Sequence, residues 1–409
     1  MPRESNDGIR RTLHDHLSWW GLKHFTSDAE YFGWQRENLS SADLNRLNQQ
    51  VERKRAGDCQ DEIAFYDLTA DPRILPVLYS QRYEYYREIS SRVAAHVKEA
   101  KTILDFGCGV GILTTFYARQ FPNKQFLGID RSHRSMTMAN EQAHKLNLTN
   151  VRFECIDIEC ESLSGLYDLI VATHAIVQAE QDPGIPSQSW QTFERAREAR
   201  EQSEFEQRTG IGVRLDRLAG ALAANGHMCV FEKTRQLARR IPLQRAFAAR
   251  GLRLLEKPEP IRYSVIEDVA DDGPFYVLTK GQGNGIAWNE LPEPDEGAPF
   301  DRANSKPAST DPDTPLYENH CPSAQGVWQG LKGKEISKET TRQEQGGRQF
   351  HVELGTSEQL SYLYCANTFD QRQLVIVEPA RAAMLETYYQ EIIRNASWPQ
   401  LKTTRARWC

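Results

Sequence analysis

The spacing of apolar residues changes character twice along this chain. Up to about residue 98 no alternating apolar runs occur and the spacing suits helices. Leu39-Ser40-Ser41-Ala42-Asp43 opens a helix expected to reach about Lys54, with Gly57 marking its end. A second helical pattern runs from 74 to 97 and carries Tyr79, Tyr83, Tyr85 and Tyr86. From 101 to about 280 short apolar runs alternate with helical patterns, the mark of a parallel sheet covered by helices. Strands are predicted at 102–106, 125–129, 151–155, 168–173, 226–232, 252–257 and 275–280. Pro258, Pro260 and Gly273 separate the last two without a clear helix, which predicts an antiparallel hairpin at the sheet edge.

Beyond 281 the pattern lapses. Residues 282–315 hold Pro292, Pro294, Pro299, Pro307, Pro312 and Pro315 among acidic residues and glycines, and read as an extended linker. Structure resumes with short antiparallel strands predicted at 349–354, 360–365 and 373–377, and a helix at 380–393. The expected architecture is α/β: a doubly wound, seven-stranded, mostly parallel sheet with an antiparallel edge hairpin. It has a helical N-terminal region (1–98), a central domain (99–281), the linker, and a small α+β C-terminal appendage (316–409).

Composition narrows the classes of function. The 409 residues are too many for one ordinary domain, and their 39% hydrophobic and 26% charged residues suit a chain that buries a core. A net charge of -6 argues against nucleic acid as a partner. Arg235, Arg239, Arg240, Arg245 and Arg250 are spaced for the exposed side of a helix, as either a solvated face or a local contact for an anion. No run approaches the roughly 18 apolar residues of a membrane helix, and the N-terminus lacks a secretory core, so a cytoplasmic location is expected. The eight cysteines form no metal framework: Cys155 and Cys160 are close, without a second pair or histidine partners. No metal site is expected.

Candidate chemistry concentrates after the first strand. Thr102-Ile103-Leu104-Asp105-Phe106 enters a loop with Gly107, Gly109 and Gly111, and a helix begins near Ile112. Glycines serve where backbone turns sharply or approaches a ligand, and such a loop stands at the carboxyl end of the sheet where ligands bind. A dinucleotide fingerprint would need glycine at 112, which is Ile112, and no Gly-Lys-Ser/Thr closes a phosphate loop. The acidic Asp105 before the turn would repel phosphates and suits a ligand bearing an amino group and a sulfonium.

These residues resemble the class I S-adenosylmethionine-dependent methyltransferases. Phe126-Leu127-Gly128-Ile129-Asp130-Arg131-Ser132 is similar to that family's second strand, whose terminal acid binds ribose hydroxyls. Asn150 through Ile158 is similar to the third, which sets Asp157 toward the adenine amino group; Tyr167 to His174 resembles the fourth, and Leu218 to Glu232 the helix and fifth strand. The resemblance covers 101–280 and neither end. It implies S-adenosyl-L-methionine as cofactor, held by Asp105, Gly107, Gly109, Gly111, Asp130, Arg131, Asp157, Ile158 and Thr173. Asp168, at the start of its strand, reads as structural.

The position after the fourth strand reads Ala172-Thr173-His174-Ala175-Ile176, without the Asn/Asp-Pro-Pro-Tyr/Phe of members that methylate bases or glutamine. A small-molecule acceptor is therefore expected, with a protein acceptor or a non-catalytic cofactor-binding subunit as alternatives. His174 falls where a general base would stand, or is a packed residue. Tyr83 and Tyr86 are candidates for the substrate pocket, in a zone that could act as a lid. The charged run 194–201 is expected as a solvated helix or a mobile cap. Unpaired strand edges in the appendage are compatible with a homodimer.

Overall fold

The computed structural model describes residues 3–56, 59–177, 182–292, 294–301, 315–343 and 348–395. The expected linker stretch 302–314 lies outside them. The chain divides into two compact units, one formed by Met1–Pro183, Gln202–Arg235 and Pro242–Trp288, the other by Gly184–Glu201, Gln236–Ile241 and Asn289–Cys409.

The first unit opens with helices α1 (Arg3–Trp19), α2 (Asp28–Asn38), α3 (Ser41–Ala56), α4 (Cys59–Thr69), α5 (Ile74–Ser80) and α6 (Tyr83–Val97). The long pattern predicted over 74–97 is thus two helices, broken at Gln81 and Arg82. The sheet follows as β1 (Thr102–Phe106), α7 (Ile112–Gln120), β2 (Gln125–Asp130), α8 (His133–Lys145), β3 (Val151–Cys155) and β4 (Tyr167–Thr173). Next come α9 (Ala199–Thr209), α10 (Ile211–Ala221), β5 (Leu222–Phe231), α11 (Leu237–Ala249), β6 (Arg253–Leu254), β7 (Glu259–Val265) and β8 (Asp268–Thr279).

Strand order is β3-β2-β1-β4-β5-β8-β6, with β7 paired to β8. β1 to β5 run parallel, and β8 is antiparallel to β5. The order reverses between β1 and β4, the switch point at which open α/β sheets bind ligands. Helices α1, α6 and α7 cover one face through Leu13, Leu17, Ile89, Val93, Val97 and Phe116, which pack with Ile103, Val171, Cys229 and Val277 of the strands. Asp168 accepts from the Lys101 and Thr102 amides and the Thr102 hydroxyl, a structural role that ties β4 to β1.

Two expectations are corrected here. The sheet has eight strands, and the hairpin is β7–β8, whereas the run predicted at 252–257 shrinks to the two residues of β6. Pro258 and Pro260 flank and enter an edge strand, where proline is tolerated. The five arginines do not form a solvated face either. Arg240 is buried, Arg235 pairs with Asp271, and Arg250 pairs with Glu206 and Asp216.

The second unit holds a five-stranded antiparallel sheet, in the order β10-β11-β12-β13-β9. Its elements are β9 (Tyr317–Asn319), α12 (Ala324–Gly330), β10 (Lys334–Gln343), β11 (Gln349–Ser357), β12 (Leu360–Asn367), β13 (Arg372–Val377) and α13 (Ala382–Asn395). Leu385, Tyr389 and Ile392 of α13 pack on Val352, Leu354, Leu363 and Val375. Among the described residues, no helix of either unit is long and apolar enough to cross a membrane.

The run 194–201 is not a solvated helix: residues 194–198 lie outside any helix, and the Arg195 side chain is fully buried. Its guanidinium pairs with both oxygens of Asp370 and donates to the Ile185 carbonyl, while its amide donates to Glu290 at 2.6 Å. Removing one partner of a buried ion pair strands the other charge, at a cost of about 3–5 kcal/mol. Arg195→Ala is therefore expected to destabilise the second unit by about that amount, read as a lower urea midpoint from tryptophan fluorescence. An unchanged midpoint would show that the pair contributes nothing.

Candidate cofactor site

The glycine loop is pinned before it is shaped. Gly107 and Cys108 both donate their amides to the Ile129 carbonyl, at 2.9 and 3.1 Å, so the turn leaves β1 and crosses directly over the end of β2. Gly107, Gly109 and Gly111 all adopt left-handed backbone, with φ of 71°, 55° and 80°, which glycine alone adopts at little cost. A Cβ on Gly107 would come within 2.4 Å of the Ala175 Cβ, so the loops after β1 and β4 touch there. A Cβ on Gly109 would meet nothing within 4 Å beyond its chain neighbours, so that side of the loop is open.

Asp130, at the end of β2, reaches back to this loop. One carboxylate oxygen accepts the Gly109 amide at 3.0 Å and the other the Ser132 amide at 2.9 Å. Each oxygen keeps a further lone pair, the capacity a vicinal diol requires. Asp105 is buried and accepts from the Thr114 hydroxyl at 2.5 Å. Burial raises its pKa to about 7; the neighbouring Asp130 charge adds to this and the Thr114 bond opposes it. A cationic ligand beside the loop would draw Asp105 into its ionised form.

The remaining predicted cofactor contacts have distinct surroundings. Asp157 follows β3 and accepts the Glu159 amide at 3.0 Å, with Ile158 buried beside it. Thr173 ends β4, next to His174. Arg131 turns the other way, donating to Glu62 at 2.6 Å and to the Cys59 sulfur at 2.9 Å, so it holds α4 against the end of β2. Ser132 adds a second tie to α4 through Asp67 at 2.7 Å.

A second constellation stands at the end of β4. His174 has a left-handed backbone, φ 56°, fixed by its amide on the Phe231 carbonyl at 2.8 Å. The next three amides, of Ala175, Ile176 and Val177, all donate to the Glu232 carboxylate at 2.8 to 3.1 Å. Burial nevertheless raises Glu232 to a pKa of about 7. Arg82 donates to His174 Nδ1 at 2.8 Å and lies over the Tyr85 ring at 4.2 Å. Arginine only donates, so Nδ1 accepts and the ring proton sits on Nε2, 3.1 Å from Asp272. Burial lowers the His174 pKa to about 4 even against Asp272. The ring is neutral at pH 7, with no lone pair left for an acceptor's proton.

The two candidate pocket tyrosines are separated. Tyr86 is buried and feels the charge of Arg82. Tyr83 turns to the N-terminal helices, bonding His14 Nδ1 at 2.6 Å and packing on His24. Tyr85, their neighbour in the same run of tyrosines, stacks on His174 with ring centroids 5.0 Å apart. Arg82, Asp272 and Tyr263, whose hydroxyl donates to Asp272, complete the cluster. No local motif marks them. Glu232 was visible only as the last residue of the fifth-strand resemblance.

Residues 97–206 match the family model of a methyltransferase domain, over roughly a quarter of the chain. The matched stretch runs from the end of α6 into α9 and so holds β1 to β4 with the glycine loop and Asp130. The chain is 29% identical over 113 residues to the malonyl-[acyl-carrier protein] O-methyltransferase of Acetivibrio thermocellus, covering 25% of this chain and 39% of that protein. It is 33% identical over 82 residues to the (S)-tetrahydroprotoberberine N-methyltransferase of Eschscholzia californica, covering 20% and 23%. The chain thus spans well under half the length of either relative. A solved O-methyltransferase from a trans-AT PKS multienzyme of Brevibacillus brevis, in complex with S-adenosyl-L-homocysteine, aligns with a TM-score of 0.35 and 14% identity, over 53% of this chain and 79% of that one.

The Asp105 environment has a measurable consequence. If a cationic cofactor binds the ionised carboxylate, affinity rises with pH up to the free-state pKa and then levels. S-adenosylmethionine is therefore expected to bind about tenfold more tightly at pH 8 than at pH 6. Asp105→Asn should flatten that profile. A flat wild-type profile in calorimetric titrations would refute the coupling.

Proposed function

We propose that this chain is an S-adenosylmethionine-dependent methyltransferase that transfers a methyl group to a small-molecule acceptor and releases S-adenosylhomocysteine. The observation that carries the reading is the joint geometry of the loop and Asp130. Three left-handed glycines leave open space at Gly109, and a carboxylate anchored to that same glycine stands at the end of the next strand. The residues fit the cofactor: Asp130 for a diol, Asp105 for a positive charge, and the stretch around Asp157 and Ile158 for a purine.

When bound, the cofactor supplies an electrophilic methyl group. The chain's own residues then have to align the acceptor and exclude water. The cluster after β4 supports that role. Arg82 offers a positive charge among Tyr85, Tyr86 and Tyr263, suited to orienting an anionic or hydrogen-bonding acceptor. His174 acts on this reading as a positioning residue, locking Arg82 on one side and facing Asp272 on the other. Helix α4, tied down through Arg131 and Ser132, serves as the cover on the cofactor side.

Two measurements test the proposal. S-adenosylmethionine should bind in calorimetric titration, and Asp130→Ala should weaken binding at least tenfold, about 1.4 kcal/mol; absence of binding by the wild type would sink the reading. Cell extract incubated with the protein and cofactor carrying an isotopically labelled methyl group should yield a labelled small molecule by mass spectrometry. A labelled protein instead would select a protein acceptor.

A further inference from the structure

The antiparallel sheet of the second unit carries a cluster that the methyltransferase reading does not use. Along β11, Phe350, Val352 and Leu354 belong to the core shared with α13, so His351 and Glu353 face the other side. The β10–β11 register sets Glu339 directly opposite Glu353, and Thr341 opposite His351. Like charges directly opposed across strands are destabilising, and Glu353 is only 2% exposed. The donor atoms of Glu339, His351 and Glu353 all lie within 4.8 Å of one another.

The donors are held as metal ligands are held. One Glu353 oxygen accepts from Trp328 Nε1 at 3.0 Å and from the Tyr362 hydroxyl, which leaves the other free to face His351 Nε2 at 3.6 Å. His351 Nδ1 bonds the Thr341 hydroxyl at 2.8 Å. A proton on Nδ1, donated to that hydroxyl, would leave the Nε2 lone pair facing Glu353, which is the tautomer a metal requires. The Trp190 ring lies flat on the imidazole, 3.6 Å away and 2° from parallel, and fixes its plane. His351 is 1% exposed and its Nε2 has no hydrogen-bond partner. Lys334 sits over the Trp328 ring at 3.7 Å, donates to the Trp328 carbonyl and feels the charge of Glu353.

We propose that Glu339, His351 and Glu353 form a binding site for a divalent transition-metal ion. One imidazole and two carboxylates suit zinc or its first-row neighbours, with a fourth position left for water. Bonds of about 2.0–2.2 Å place tetrahedral donors about 3.5 Å apart. His351 and Glu353 already meet that spacing. Glu339 is exposed and closes the triangle by rotating its side chain. The ion would neutralise the opposed carboxylates and clamp β10 to β11. The proposal is independent of what the first unit catalyses.

The test uses the full chain stripped of metal. Zn2+ is titrated by calorimetry, and Co2+ is followed through its visible d–d absorption, which reports nitrogen and oxygen ligands. One saturable site is expected, weakened at least tenfold in both Glu339→Gln and His351→Gln, with the Co2+ spectrum altered in each. Because Glu339 is exposed, Glu339→Gln should melt at the wild-type temperature without metal and lose the metal-induced rise. Zinc held by cysteines elsewhere would bind all three proteins alike. That result, or no binding to the wild type, overturns the site.

Discussion

The carbonyl of Ile129 fixes the geometry on which the rest of the first unit's candidate site depends. By accepting from Gly107 and Cys108 together, it forces the chain leaving β1 across the end of β2. The crossing brings Gly109 to Asp130 and Gly107 to Ala175, so one turn spans three adjacent strands. Only residues tolerating left-handed backbone can follow that path without strain. The glycines are therefore required first by the fold, and the open side they leave is the by-product that a ligand can use.

The loop after β4 meets the same requirement by different means. It contains no glycine, and His174 carries the strained conformation, which such sites hold only when their surroundings over-determine it. The restraint comes from β5: Phe231 fixes the His174 amide, and Glu232 gathers the next three amides. A carboxylate spent wholly on backbone amides is a structural device. His174, so fixed, bridges Arg82 and Asp272, and Tyr263 donates to the same Asp272 carboxylate.

Much of the first unit was legible because its parallel strands are short and set off by turns, and β1, β2 and β4 are apolar and largely buried. β1, β2, β3 and β4 fall within a residue or so of where periodicity puts them. β7 was missed because its Glu259, Pro260 and Arg262 are exposed, as on an edge, and its prolines read as breakers. The glycine loop and Asp130 were legible because a turn and a strand end are local. Arg82 was not: it sits at a helix break, and its meaning comes from His174, 92 residues away. Tyr83 and Tyr85 differ only in which side of α6 they occupy, which a run of tyrosines does not disclose.

The largest errors of sequence reading concern charge, and they share a cause. The run around Arg195 has the spacing of a solvated helix, yet its partner Asp370 is 175 residues distant and both are buried. Local pattern assigns charged residues to water by default, because burial without a partner costs several kcal/mol. The default fails wherever tertiary structure supplies the counter-charge. The converse also holds: a buried carboxylate facing another across a strand pair demands a cation from somewhere. In the second unit Glu353 has neutral donors on one oxygen and the ring of His351 before the other. Lys334 supplies part of that counter-charge from over the Trp328 ring, and a metal ion shared with Glu339, whose donor atom lies within 4.8 Å of the other two, would supply the rest.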